Sequence, residues 1–209
     1  MNAPTDLDAP TDLDALRAHI GAVSDLADRK VLPALDQHAR HFIRLCPFLV
    51  LASADGQGQV DASPRGDPPG FVQVLDDQTL LIPDRPGNNR VDSFRNILAS
   101  PAVGLVLFVP GIDETLRISG TARLSFDKDA LAAAEVQGRV PRTGLVIDIT
   151  AVMFHCAKAL RRSRLWDPAA QIERSEFPSL GRIIADQIAG FTADVADARI
   201  EKAYRERMY

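Results

Sequence analysis

The chain has too few cysteines for a disulfide framework or a cysteine-ligated metal site. Its 209 residues include two, Cys46 and Cys156, which lie far apart. Metal sites of this kind need closely spaced cysteines, and disulfide scaffolds need several in a short chain. We therefore expect both to be reduced residues near the core.

A long apolar run and an excess of positive charge are also missing. The apolar runs at 48–52 and 103–109 are far shorter than the roughly 20 residues that span a bilayer. The acidic N-terminal stretch lacks the basic and apolar regions of a secretion signal. The net charge of −4 is unfavourable for general nucleic-acid binding. These absences predict a cytoplasmic protein that binds neither membranes nor nucleic acids.

Several common catalytic and nucleotide-binding motifs are absent as well. No G-x-G-x-x-G sequence follows a strand and opens a helix, which disfavours a Rossmann nicotinamide site. The stretch "GNNR" at 87–90 lacks the Lys-Ser/Thr ending of a P-loop. No Ser-His-Asp arrangement is readable, and the histidines show no metal-ligand spacing. The sequence therefore predicts no metal site and identifies no catalytic residue.

Helical patterns flank a strand-rich middle, which divides the chain into three regions. Residues 1–47 are predicted to form a tail and helices that pack on the central domain, and 48–166 to form that domain. Residues 167–209 are predicted to form a C-terminal helical extension, with helices after Pro178 and Thr192.

Two helices are predicted within the first region. The sequence "APTDLD" occurs twice, at 3–8 and 9–14, and Thr11 or Asp12 of the second copy could cap a helix. Another helix is predicted to begin near Pro33 and to stop at Cys46, before a proline. Its predicted apolar face consists of Leu35, Ala39, Phe42 and Leu45.

The middle region contains six or seven strand patterns separated by short turns. The predicted strands are "FLVLASAD", "QVDASP", "FVQVL", "TLLIP", "AVGLVLFVP", "TLRISGTARLSF" and "GLVIDITAVMFH". Short connections favour antiparallel pairing, and a small barrel is favoured over a layered parallel sheet. The predicted fold class is mainly β with flanking helices (α+β), an antiparallel barrel.

Two loops in this region have the composition of an anion site. Arg65 follows Pro64 at the end of a predicted strand and begins "RGDPPG" at 65–70, where two further prolines and two glycines make a stiff loop open to close approach. Asn88, Asn89 and Arg90 are predicted to open the helix "NNRVDSFRNIL", where free N–H groups and the helix dipole favour anions. The alternative is that an asparagine only caps this helix.

A third signal lies in the strand "TLRISGTARLSF". Arg117 alternates with apolar neighbours, so it faces either solvent or a ligand pocket. Gly120 in mid-strand indicates a bulge or a close backbone approach. Each signal alone is weak.

In this order, the motifs resemble those of the pyridoxamine-5'-phosphate-oxidase-like flavoproteins. The stretches concerned are "SPRGDPPGFV", "LLIPDRPGNNR", "ETLR" and "HCAKAL". They are most similar to the predicted flavin-nucleotide-binding branch, and they fall within residues 48–166. Several long matches in order are more specific than one short motif. The resemblance implies an FMN-binding split barrel and a homodimer with FMN at its interface.

The resemblance also implies roles for individual residues. Arg65 and the Asn88–Arg90 loop would hold the FMN phosphate, Thr115 would lie near the flavin, and Arg117 with Gly120 matches an Arg-x-x-Gly strand. Lys158 would place positive charge near the flavin N1 and O2 edge, and with His155 it would close the site from the partner subunit. The cofactor-binding candidates are Arg65, Gly66, Asp67, Pro83, Asp84, Asn88, Asn89, Arg90, Thr115, Arg117, His155 and Lys158.

The chain departs from the true oxidases at the substrate end. It lacks their C-terminal substrate-binding arginine and histidine and has His155, Lys158, Arg161, Arg162 and Trp166 instead. The resemblance therefore implies an FMN-dependent oxidoreductase with another, unidentified substrate, and NAD(P)H or a small organic molecule as donor. The alternatives are a non-catalytic flavin carrier or sensor, or a split-barrel protein that binds deazaflavin or haem.

Overall fold

The first helices are fixed by their capping residues. The computed structural model describes residues 12–209, in which α1 spans Leu13–Ile20, α2 Asp25–Arg29 and α3 Gln37–Leu45. The side chains of Asp12, Ser24 and Asp36 accept hydrogen bonds from first-turn N–H groups of these helices. The expected cap at Asp12 is confirmed, whereas Thr11 and the first "APTDLD" copy lie outside the described residues.

A seven-stranded sheet forms the centre of the part of the chain that the structure describes. Its strands are β1 Phe48–Ala54, β2 Val60–Gly66, β3 Gln73–Val74, β4 Thr79–Pro83, β5 Ala102–Phe108, β6 Thr115–Ser125 and β7 Gly144–His155. The order is β2-β1-β5-β6-β7-β4-β3, and all neighbours are antiparallel. This confirms the predicted antiparallel α+β class.

The remaining helices connect strands or follow the sheet. They are α4 Asp92–Ala99, α5 Lys128–Ala132, α6 Lys158–Ser163, α7 Leu180–Gln187 and α8 Ala193–Glu206, with 3₁₀ turns at Pro168–Ala170 and Arg174–Glu176. The Asp127 side chain caps α5. Within residues 12–209, no helix is both long enough and apolar enough to cross a membrane.

Alternating apolar residues of the strands build the core. Leu49 and Leu51 of β1 pair across the sheet with Leu107 and Leu105 of β5, and all four are buried. Helix α3 adds Phe42, whose ring meets Phe154 of β7 edge to face at 5.5 Å between centroids. The period-two burial of β1 and β5 is what a sheet with one apolar face requires.

The backbone ladder begins at β2 and ends at β3, so these two strands are the edges of a split barrel. Two ion pairs join the β2 side to the chain that follows β4. Arg65 on β2 contacts Asp84 at 2.9 Å, and Asp67 contacts Arg85 at 2.5 Å. The split is therefore bridged by side chains, and the candidate loops meet there.

Several structural features that were predicted from the sequence are wrong. Helix α3 begins at Gln37, four residues after Pro33, because Asp36 caps it, and Leu45 is exposed. Helix α2 was not expected. Helix α4 begins at Asp92, so Asn88–Arg90 precede it. Cys156 is exposed, although Cys46 is buried as expected.

Candidate functional site

A cleft of about 410 Å³ lies between β2 and the start of α4, and we call it the β2–α4 cleft. Its walls come from β2, from the end of β4 and from the loop before α4. The expected residues that line it are Arg65, Gly66, Pro83, Asn88 and Arg90. The structure thus brings together two loops that lie about 20 residues apart in the sequence.

Arg65 is the central cation of this cleft. Its Nη1 donates to Asp84 Oδ1 at 2.9 Å, and its guanidinium lies 5.9 Å from the centre of the Phe94 ring. Its Nε is buried and has no hydrogen-bond partner among residues 12–209. Because an unpaired buried donor is costly, an acceptor that reached this N–H would relieve that cost.

Asp84 carries its negative charge in an unfavourable environment. Burial raises the pKa of the Asp84 carboxyl above its ordinary value, and the nearby Arg65 only partly offsets this effect. A carboxylate that is disfavoured in this way competes weakly with a stronger anion for the same arginine.

The loop before α4 leaves the helix N-terminus open. Asn89 and Val91 have positive φ values of 58° and 52°. Val91 is the N-cap residue, and no side chain of the described part of the chain caps the helix. Asn88 Oδ1 instead accepts from the N–H of Arg90 at 3.0 Å, so the capping alternative does not hold for the asparagines. First-turn N–H groups of an uncapped helix favour an anion.

Helix α4 is held against the barrel by buried polar contacts. Asn96 Nδ2 donates to Ser53 Oγ of β1 at 3.1 Å, and both residues are buried. Ser93 Oγ donates to Asp61 of β2 at 3.0 Å. These bonds fix the N-terminal end of α4 relative to Arg65.

A second cleft of about 780 Å³ adjoins the first, and we call it the arginine cleft. The two clefts share Arg65 and Arg85 among their lining residues. The arginine cleft is lined by the cations Arg65, Arg85, Arg139, Arg142 and Arg207, together with Asp84, Asn88, Asn89 and Tyr209. Five arginines and one carboxylate give it positive charge.

Among the wall residues that sequence reasoning missed are four arginines and a tyrosine: Arg85, Arg139, Arg142, Arg207 and Tyr209. Arg85 lies within "DRPGNNR", between the candidates Asp84 and Asn88, so its sequence position could have identified it. The others come from the α5–β7 connection and from the residues after α8, and no local pattern links those segments to the cleft.

The other expected site residues lie elsewhere. Thr115 pairs with His155 at the far end of β7, whereas Pro83 pairs with Gly144 at its start. At about 3.3 Å per residue, these ends are roughly 35 Å apart along the strand. Arg117, His155 and Lys158 are exposed, Thr115 is buried, and none lines either cleft. One chain therefore does not bring the two groups together.

Asp67 lies beneath the clefts, where it positions Arg85. Its side chain is 1% exposed, and it accepts from Arg85 Nε and from the Tyr209 hydroxyl. Among residues 12–209, no cluster of three or more histidine, cysteine or acidic side chains could hold a metal ion. The site is therefore suited to an organic anion such as a phosphate ester. By its fold and its clefts, the chain is an antiparallel split-barrel protein with an arginine-lined cleft.

Comparison with known families is consistent with that class. The family model described as pyridoxamine 5'-phosphate oxidase matches residues 35–156, more than half of the chain. The chain therefore belongs to the pyridoxamine 5'-phosphate oxidase family. The comparison with curated proteins finds no match.

Solved structures with similar folds include several small bacterial proteins. HupZ of Group A Streptococcus is 19% identical, with a TM-score of 0.47 over 57% of this chain and 93% of that chain. A putative pyridoxamine 5'-phosphate oxidase from Lactobacillus delbrueckii is 21% identical, with a TM-score of 0.45 over 58% and 95%. An FMN-binding protein from Syntrophomonas wolfei is 12% identical, with a TM-score of 0.40 over 56% and 88%.

Proposed function

We propose that the protein is an FMN-dependent oxidoreductase that holds the FMN phosphate in the β2–α4 cleft. The observation that carries the proposal is the buried, unpartnered Nε of Arg65, which lies in a cleft bounded by the open N-terminus of α4. An arginine N–H and first-turn backbone N–H groups are suitable donors for a phosphate dianion.

The ion pairs around the cleft support a site in which arginines leave their carboxylate partners and bind a ligand. Arg65 is paired with Asp84, and Arg90 is paired with Asp92 at 2.7 Å. A phosphate has more charge and more acceptor oxygens than either carboxylate. Because burial already disfavours ionised Asp84, the proposed phosphate would replace it at Arg65 with little opposition.

Bound FMN would supply the electron-transfer chemistry, and the residues of the chain would supply binding, orientation and electrostatic tuning. This division accounts for a site with arginines and asparagines but no recognised acid, base or nucleophile. The proposed substrate differs from pyridoxamine 5'-phosphate, since the substrate residues implied by the resemblance are missing. The proposed electron donor is NAD(P)H or a small organic molecule, and the proposed location is the cytoplasm.

The proposed assembly is a homodimer with FMN at the interface. Thr115, Arg117, His155 and Lys158 lie at the other end of β6 and β7 from Pro83, so they can join the cleft only from a second copy. In this arrangement Lys158 of the second copy would bring a positive charge to the flavin ring.

The proposed phosphate site is tested by titration with FMN and with riboflavin, which lacks the phosphate. We expect FMN to bind at least about tenfold more tightly, because a hydrogen bond to a charged group contributes about 1.5–3 kcal/mol. Arg65→Gln should remove most of this preference. Equal affinity for the two flavins, or an unchanged preference in Arg65→Gln, would contradict the assignment.

A matched pair of variants tests the loop. Arg90 and Arg95 both bind Asp92, at 2.7 and 3.1 Å, and both are exposed. Only Arg90 lines the β2–α4 cleft. Arg90→Ala should weaken FMN binding several-fold, whereas Arg95→Ala, like Arg162→Ala, should leave it unchanged. Equal losses in Arg90→Ala and Arg95→Ala would indicate a general charge effect and no phosphate contact.

A further inference from the structure

Helices α7 and α8 form a pair that packs mainly on itself. Asp197 of α8 accepts from the Ser179 hydroxyl at 2.6 Å and from the Gly181 N–H at 2.8 Å. A Cβ at Gly181 would collide with the Asp197 side chain, so the helices cross in close contact there. Because of these contacts, α7 and α8 are expected to move as one unit.

One residue supplies the hydrogen bonds that tie this unit to the barrel. Among the described residues, the hydrogen bonds and ion pairs between 180–209 and 12–166 are those of Tyr209. The Tyr209 hydroxyl donates to Asp67 Oδ1 at 3.0 Å, and Arg139 Nη1 donates to the main-chain oxygen of Tyr209. Within the described residues, the polar attachment of α7 and α8 to the barrel thus consists of two hydrogen bonds of Tyr209, one from its hydroxyl and one to its main-chain oxygen.

The Tyr209 side chain packs on Arg85, an arginine that lines both clefts. Its ring lies over the Arg85 guanidinium, 5.4 Å from ring centre to Cζ. The other Arg85 contacts are internal, since Nε donates to Asp67 at 2.5 Å and Nη2 donates to the Ala134 carbonyl at 2.8 Å. Tyr209 therefore covers one face of Arg85, which lines both clefts and was not predicted from the sequence.

We propose that α7, α8 and Tyr209 form a displaceable lid, in which Tyr209 competes with the flavin ligand for the arginine cleft. The identity of this ligand as a flavin rests on the proposed function. A ligand group that reaches the face of Arg85 must move the Tyr209 ring, and this movement breaks the hydrogen bond from the Tyr209 hydroxyl to Asp67, one of the two that hold the lid. Binding then depends on the fraction of molecules with the lid open.

The two tyrosines of the chain provide a matched test. Tyr209→Ala removes the ring and its hydroxyl, Tyr209→Phe removes only the hydrogen bond to Asp67, and Tyr204→Ala changes an exposed residue of α8. FMN titrations should show a dissociation constant about tenfold lower in Tyr209→Ala. The decrease should be smaller in Tyr209→Phe and absent in Tyr204→Ala.

Hydrogen exchange across 180–206 gives a second readout that distinguishes the lid from the flavin assignment. Exchange should be faster in Tyr209→Ala than in Tyr204→Ala without any ligand, and adding FMN to the wild type should also accelerate it. FMN affinity that is equal or weaker in Tyr209→Ala would overturn the lid and leave the proposed function intact.

If no variant binds FMN, the flavin assignment fails and the exchange rates decide about the lid. Faster exchange in Tyr209→Ala than in Tyr204→Ala would still support Tyr209 as the residue that holds the lid against the barrel. Equal exchange in the two variants would overturn the lid.

Discussion

At the scale of single residues, the Arg65–Asp84 pair shows how the site tolerates an unfavourable charge. The pair bridges the split between the β2 edge and the end of β4. Burial raises the pKa of Asp84 despite the adjacent arginine, so the folded protein binds a proton there more readily than the unfolded chain does. The pair therefore joins β2 to the end of β4, although Arg65 only partly offsets the cost of burying the ionised Asp84 carboxylate.

This raised pKa predicts a pH-dependent difference between the wild type and Asp84→Asn. A raised folded-state pKa contributes stability that is fully present below the ordinary Asp pKa of about 3.9. That contribution is lost as the pH rises through the folded-state value. In urea unfolding, the free energy of the wild type relative to Asp84→Asn should fall across this window and then level off. A relative stability that rises with pH would show that the ion pair with Arg65 dominates.

Individual residues also show what sequence reasoning could and could not reach. Arg65 and Asn88–Arg90 were identifiable because charged and amide side chains stood in stiff loops at predicted strand ends. The start of α4 was missed because Val91 adopts a left-handed φ of 52°, which β-branched residues rarely do. Tyr209 and Arg207 could not be assigned to the cleft, because their position depends on how α8 lies against distant loops.

At the scale of elements, helix α4 links the barrel core to the proposed phosphate site. Its buried side includes two polar residues, Ser93 and Asn96, in addition to Ile97. Their hydrogen bonds to β2 and β1 determine where the uncapped first turn points. The sequence predicted this helix, although it placed the first residue at Asn88 and the structure places it at Asp92.

The attachment of α4 predicts a measurable cost for Asn96→Ala. The variant leaves the Ser53 hydroxyl without its buried partner, which costs about 1–3 kcal/mol of unfolding free energy. The matched control is Asn88→Ala, whose side chain is exposed and which should change stability by less than about 0.5 kcal/mol. Urea denaturation measures both. Equal effects for the two variants would mean that the Asn96–Ser53 bond does not anchor the helix.

At the scale of the whole molecule, strand β7 separates two groups of candidate residues. The clefts lie near its start, and Thr115 with His155 lies at its end. The antiparallel class was predictable from alternating strands and short turns. The distance between the groups was not, because a single sequence does not state which strand ends meet.

The proposed homodimer predicts complementation between two defective variants. Arg65→Ala damages the cleft and Lys158→Ala damages the distant group, so each homodimer should bind FMN weakly. A mixed dimer contains one site with both wild-type residues, and it should bind one FMN per dimer with wild-type affinity. Mixing after dissociation, followed by FMN titration, tests this. No recovery in a verified mixed dimer would contradict a site shared between copies.

The most direct test of the central claim is an absorption spectrum of the freshly purified protein, followed by FMN titration of the flavin-free form. We expect flavin bands or saturable FMN binding at micromolar concentrations or below, with binding lost in Arg65→Gln. A colourless protein that does not bind FMN would contradict the claim that the β2–α4 cleft is a flavin phosphate site.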